Sequence, residues 1–187
     1  MQSRIFLLLL NGTILTVCAV FVSAERKLLL TALMLFLPLL DKHSFQLQIS
    51  VHRQQLIQWF SLVSLLCLLL IVAPAQQEIF FSILFLTALP EEWFFRHYMQ
   101  NTLEQYFNTN HTLKKSHSSH LAIVCTSVVF ALMHLPLQGY IGLATFFPSL
   151  ILGYAFQMKK DLIFVILLHS LFNLFFIIYL QPSILFL

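Results

Sequence analysis

From Ile5 to Leu180 the chain is a succession of apolar runs, each closed by a short polar connector. A soluble fold has one interior to fill and cannot hide them all. A bilayer accepts a helix of about 20 apolar residues, because every backbone group is bonded within the helix itself. The runs lack the alternation of a membrane-crossing strand, which excludes a closed barrel and predicts an all-α fold. In order they are Ile5–Ala24, Leu28–Leu40, Leu56–Ala73, Ile79 to about Leu103, Leu121–Leu135, Tyr140–Met158 and Leu162–Leu180. The expected architecture is a polytopic transmembrane helix bundle of about seven spans, forming a single integral membrane domain over residues 1–187. Charged residues make up 9% of the chain and hydrophobic ones 59%, whereas a soluble domain carries about 25% charged residues.

The formal charge of +3 is spread over short clusters between the apolar runs. Nucleic-acid binding needs a basic face on a soluble domain, so it is excluded. The clusters instead set topology. Arg4, Lys42, Arg53, Lys114, Lys115, Lys159 and Lys160 fall on one side of the alternating spans, and Arg26 and Lys27 on the other. The positive-inside rule then places the N-terminus in the cytoplasm and the C-terminus outside. Val22-Ser23-Ala24 resembles a signal-peptide cleavage site, but the first run is long enough to be retained as a span. Cys18, Cys67 and Cys125 each lie inside an apolar run, with no CxxC pair, and read as small buried hydrophobes.

Against this apolar background, Pro90-Glu91-Glu92-Trp93-Phe94-Phe95-Arg96 places three ionisable side chains at membrane depth. A charge at the bilayer centre costs at least ~2.5–3.5 kcal/mol, so such groups are paired and functional by default. On a helix Glu92 and Arg96 stand four apart with the acid first, the favourable order for an ion pair. Glu91 is turned about 100° away and is left free. Pro90 is expected to kink the helix or to start a new turn.

Further polar groups interrupt later spans. His134 follows Phe130 by one turn in FALMH, and His169 precedes Asn173 by one turn in HSLFN. Counted from the cytoplasmic ends of their spans at ~1.5 Å per residue, His169 lies about 10 Å deep, Glu91 about 14–18 Å and His134 about 20 Å. Three helices therefore bring these groups to overlapping depths, where they can share one polar cavity. Taken singly, Glu91 and Glu92 could be first-turn acids, a lone histidine a satisfied core residue, and Asn173 interhelical glue. Four separate intrusions without a shared cavity would each need a partner of its own.

The ordered set EEWFFR (EExxxR), FALMH (FxxxH) and HSLFN (HxxxN) resembles the CPBP family, the CAAX-protease and bacteriocin-processing intramembrane proteases, also called the ABI family. The resemblance covers residues 79–175 as a catalytic core and leaves residues 1–73 as N-terminal spans outside the motifs. It implies hydrolysis of a peptide bond in a membrane-associated protein or peptide precursor, without a covalent intermediate and without a cofactor. On that implication Glu91 is the general base that activates water, and His134 helps to hold the water. His169 and Asn173 stabilise the oxyanion, while Glu92 and Arg96 support the site. The implied setting is a bacterial inner membrane.

Other chemistries can use the same atoms. Glu91, His134 and His169 form a two-histidine, one-carboxylate set for zinc with an open position for water, although there is no HExxH. A non-catalytic scaffold or immunity protein would keep the fold and tolerate loss of Glu91. A proton-coupled transporter is disfavoured by the lack of an inverted repeat. His111, His117 and His120 lie in the polar stretch 100–120, which reads as a solvated loop with a frayed helix end. Trp93, Phe94, Phe95 and Tyr98 are candidates for a substrate groove, with core packing as the default. Gly139, Gly142 and Gly153 are expected to allow close helix approach.

Overall fold

The computed structural model describes residues 2–20, 27–41, 53–73, 77–110 and 115–180. These residues are almost entirely helical, and no strand occurs among them. The helices are α1 (Gln2–Val20), α2 (Lys27–Phe36, closed by the tighter turn Leu37–Leu40), α3 (Arg53–Val72), α4 (77–110), α5 (Lys115–Gln138), α6 (Phe146–Lys159) and α7 (Leu162–Phe175, extended by one wide turn Phe176–Leu180). Three stretches are long and apolar enough to cross a membrane: Arg53–Val72, Ser116–Lys159 and Leu162–Leu180. Arg4–Cys18 and Leu28–Leu40 are shorter apolar helices.

The main core is built where α1, α2, α4 and α5 meet. Leu8 and Leu15 of α1 pack with Leu30, Met34 and Leu37, with Phe94, Phe95, Tyr98 and Met99 of α4, and with Phe130 and Met133 of α5. The aromatic residues after Glu92 are thus mostly core: Phe94, Phe95 and Tyr98 are buried. Trp93 stacks on His97 and donates to the Leu35 carbonyl at 3.2 Å. A second cluster joins Leu152 and Phe156 of α6 to Val165 of α7.

Polar ties pin the periphery. Asn11 donates to the Leu37 carbonyl and to the Tyr98 hydroxyl, at 3.3 and 3.2 Å. Arg4 pairs with Asp41 at 2.7 Å, which buries an aspartate that composition alone assigns to a polar connector. Trp59 of α3 donates to Asp161 at 2.7 Å, and the same carboxylate caps α7 by accepting from the Phe164 amide.

α4 runs unbroken through Pro90, with wide π-helical turns at Ile83–Ala88 and Trp93–Gln100. Proline has no N–H, so the Leu86 carbonyl one turn earlier loses its usual donor. The Thr31 hydroxyl of α2 supplies one at 2.9 Å. Pro90 stands in the first turn of the segment Leu89–Glu92, between the two wide turns, and a second helix supplies the donor that it lacks.

Two readings of the sequence change. The described residues of the polar stretch 100–120 are helical: α4 continues to Asn110 and α5 begins at Lys115. His117 and His120 therefore stand on the first turns of α5, whereas His111 lies outside the described residues. Gly139 does not bring helices together, since a Cβ there would meet nothing within 4 Å. It has φ +63 and turns the chain between α5 and the short 3₁₀ stretch Gly139–Thr145. Gly142 and Gly153 do permit close approach: a Cβ would come within 2.6 Å of the His134 carbonyl oxygen and 2.8 Å of Ile123 respectively. Cys67 is exposed on α3, while Cys18 and Cys125 are half-buried. The signal-type sequence 22–24 and most of the connector 41–55 lie outside the described residues.

At its polar end α4 is fastened by Glu104. This carboxylate accepts from Ser119 of α5 and from Gln157 of α6, and pairs with Lys160 at 3.1 Å. Burial alone would raise its pKa. The Ser119 hydroxyl, the Lys160 ammonium and the Gln157 amide outweigh burial and hold the carboxyl below its ordinary value. A lowered folded pKa contributes stability that is present above the unfolded value and is lost as pH falls through the folded one. Glu104→Gln should therefore lower the unfolding temperature at pH 7, and its deficit should shrink as the pH drops below about 4. Thermal unfolding of both proteins across pH checks this, and a deficit that does not change with pH would refute it.

Candidate active site

Glu92 and Arg96 are the centre of the site. Both side chains are fully buried, and Arg96 Nε donates to Glu92 Oε2 at 3.0 Å, the one-turn pairing that the spacing predicts. The pair lies where a regular turn gives way to the wide turn Trp93–Gln100. Wide turns of this kind recur at functional sites. Arg96 is held from its far side as well, since Nη2 donates to Ser149 of α6 at 2.7 Å.

α7 brings His169 onto the same carboxylate. Its Nδ1 lies 2.8 Å from Glu92 Oε1, and because a carboxylate only accepts, Nδ1 carries the hydrogen. Glu92 is thus bonded on both oxygens, by Arg96 and by His169. The other ring nitrogen, Nε2, faces Glu91 Oε2 at 3.7 Å, too long for a direct hydrogen bond. Glu91 Oε2 is buried and has no hydrogen-bond partner among the described residues. One carboxylate is fully engaged and its neighbour is not, as expected from their angular separation on α4.

His134 approaches from α5. Its Nδ1 lies 2.8 Å from the Phe130 carbonyl, so in the neutral ring Nε2 keeps a lone pair. His134 and His169 both lie within electrostatic reach of Glu91. Phe130 joins these groups. Its ring centroid is 4.4 Å from that of His134 and 6.2 Å from that of His169, and the Arg96 guanidinium lies 5.8 Å from it. Asn173 stands one turn beyond His169 on α7 and is half-buried. The structure therefore brings together Glu91, Glu92, Arg96, His134 and His169, with Asn173 one turn along α7 from His169.

Among the described residues no three His, Cys, Asp or Glu side chains are placed to share one metal ion. His120 bonds Tyr154 at 3.1 Å, away from this cluster. Sequence reasoning missed Ser149, which lies 53 residues from Arg96 and carries no motif. It recognised Phe130 as part of a motif without assigning it a place between the two histidines.

The chain has no significant match among curated proteins and none among solved structures. A family model described as type II CAAX prenyl endopeptidase Rce1-like matches residues 58–175, well over half of the sequence. The match begins inside α3 and ends at the last residue of α7, so it takes in every residue of the buried cluster. All three motifs that resemble the intramembrane proteases fall within it, and the chain belongs to the Rce1-like family of CAAX-type membrane endopeptidases.

Proposed function

We propose that this integral membrane protein is a metal-free glutamic peptidase that cuts a membrane-associated protein or peptide precursor within the bilayer. The observation that carries the reading is the unequal state of the two adjacent glutamates. Glu92 is bonded by Arg96 and His169, while Glu91 Oε2 is buried without a hydrogen-bond partner beside His169 Nε2. An unengaged carboxylate in a water-poor site is suited to take a proton from water.

In this reading Glu91 removes the proton as the water oxygen attacks the scissile carbonyl carbon. His134 Nε2 accepts the water's other hydrogen and so fixes its direction. His169, protonated on both ring nitrogens and so able to donate from Nε2 while Nδ1 stays on Glu92, and Asn173 donate to the oxyanion of the tetrahedral intermediate, where preorganised donors are worth about 3–4 kcal/mol each. Collapse of the intermediate breaks the C–N bond, and the proton held by Glu91 passes to the leaving amine. Glu92 and Arg96 hold His169 in place. The bundle crosses the membrane about seven times, with the N-terminus in the cytoplasm of a bacterial cell and the C-terminus outside. The family points to a CAAX-type substrate with a prenylated cysteine.

The test is cleavage of a farnesylated CAAX peptide and of an unprenylated membrane-anchored precursor by the purified protein, with and without a strong zinc chelator. Cleavage that persists with chelator supports the metal-free reading. Loss of cleavage that added zinc restores would overturn it in favour of a zinc site on Glu91, His134 and His169. Cutting of the unprenylated precursor alone would refute the prenylated substrate.

A further inference from the structure

His134 stands one turn from the end of α5, and Pro136 follows two residues later inside the same helix. Proline brings no N–H to the helical ladder, and the final carbonyls of a helix lack intrahelical donors. α5 is therefore held least by its own backbone at the turn that carries a residue of the site. The bond of His134 Nδ1 to the Phe130 carbonyl, at 2.8 Å, fixes the rotation of the ring. Phe130 belongs to the same helix, so that bond moves with α5 and does not fix where its last turn sits.

A neighbour from outside the helix does so. Gly142 is buried in the 3₁₀ stretch Gly139–Thr145. A Cβ on it would lie 2.6 Å from the His134 carbonyl oxygen, 2.8 Å from the carbonyl carbon and 3.1 Å from the His134 Cβ. The three nearest heavy atoms thus all belong to His134. Of the glycines only Gly139 has a positive φ, so glycine at 142 answers a need for space and not for an unusual backbone. The stretch is itself anchored. Thr145 donates to the Gly142 carbonyl at 2.6 Å, and one turn further on Ser149 accepts from Arg96 at 2.7 Å. The backbone at 142 is a stop, tied through α6 to the ion pair of α4, against which the last turn of α5 rests.

We propose that Gly142 is a positioning residue for His134, its close contact setting how far the imidazole reaches toward Glu91. The catalytic consequence rests on the function proposed above, but the contact itself does not. Carbon atoms in ordinary contact lie about 3.5–4.0 Å apart, so a methyl group at 142 would have to be relieved by nearly an ångström. The two atoms nearest to it are backbone and cannot swing aside as the end of a long side chain can. His134 must move, and its Cβ moves with its carbonyl. Misplacing a group that directs the attacking water by about 1 Å costs up to about 10²-fold in rate. Gly142 is buried, out of reach of a substrate, so the loss falls on kcat and leaves KM alone.

Purified full-length Gly142→Ala protein tests this with two readouts. Its kcat is expected to fall about 10–100-fold with KM unchanged. In micelles the nuclear magnetic resonance signal of the isotope-labelled His134 ring should move while that of His120 stays, each assigned by its own substitution with glutamine. Added to His134→Gln, the Gly142→Ala change should cost little more, because both act through one side chain. A full additive loss would overturn the positioning role, and so would a native kcat or an unmoved His134 signal in the folded variant. Gly12→Ala, where a Cβ meets nothing within 4 Å, is the control that should leave both readouts unchanged. Should Gly142→Ala fail to fold, Thr145→Val removes the bond to the Gly142 carbonyl without adding bulk. A smaller change in the same two readouts is then expected, and no change in either would overturn the proposal. A displaced His134 signal in a protein that cuts no peptide supports the contact and counts against the proposed function.

Discussion

Purified Glu91→Gln protein is expected to cut its substrate about 10²–10⁴-fold more slowly than the native chain, the range spanned by a lost general base. The substitution keeps the size of the side chain and removes its ability to take a proton. Stability should not fall with activity, because Glu91 Oε2 has no hydrogen bond to lose. A neutral amide is also cheaper to bury than a carboxylate. Single-turnover cleavage beside thermal unfolding separates the two quantities. Native activity at position 91 with glutamine would remove the base assignment, and a large loss of stability would show that Glu91 holds the bundle together.

Arg96→Met should produce the opposite pattern, with folding lost first. Glu92 and Arg96 are both fully buried, and taking one partner from such a pair strands the other charge, at about 3–5 kcal/mol. Ser149 would lose its donor as well. Combining Arg96→Met with Glu92→Gln removes both charges and should recover part of the deficit, although His169 then loses its carboxylate. Denaturation of the native, single and double variants in mixed detergent gives the comparison. A single variant as stable as the native protein would mean that the pair is solvated, contrary to its burial.

What could be read from the sequence divides by distance along the chain. The Glu92–Arg96 pair is a consequence of helical pitch, and the free Glu91 follows from the same 3.6-residue turn. The convergence of His169 and His134 on the glutamates followed from depth arithmetic, because bilayer thickness puts all spans on a common scale. That arithmetic carries no lateral information. It could not tell that His169 would bond Glu92 rather than face Glu91 alone. Ser149 and Gly153 carried no signal, since a serine and a glycine in an apolar run are ordinary residues until α4 lies against them. The stretch 100–110 was misread because its composition is polar. Gln100, Thr102 and Glu104 are in fact buried, and contacts with α5 and α6 keep the helix formed where solvent would fray it.

The hydroxyl that Thr31 lends to the Leu86 carbonyl links two positions that no motif connects. In lipid no solvent is at hand to replace that donor, so proline at 90 and a hydroxyl-bearing residue at 31 form a dependent pair. Related chains should then change at both positions or at neither. Serine at 31 should be tolerated beside the proline, and valine there only where position 90 has regained an amide hydrogen.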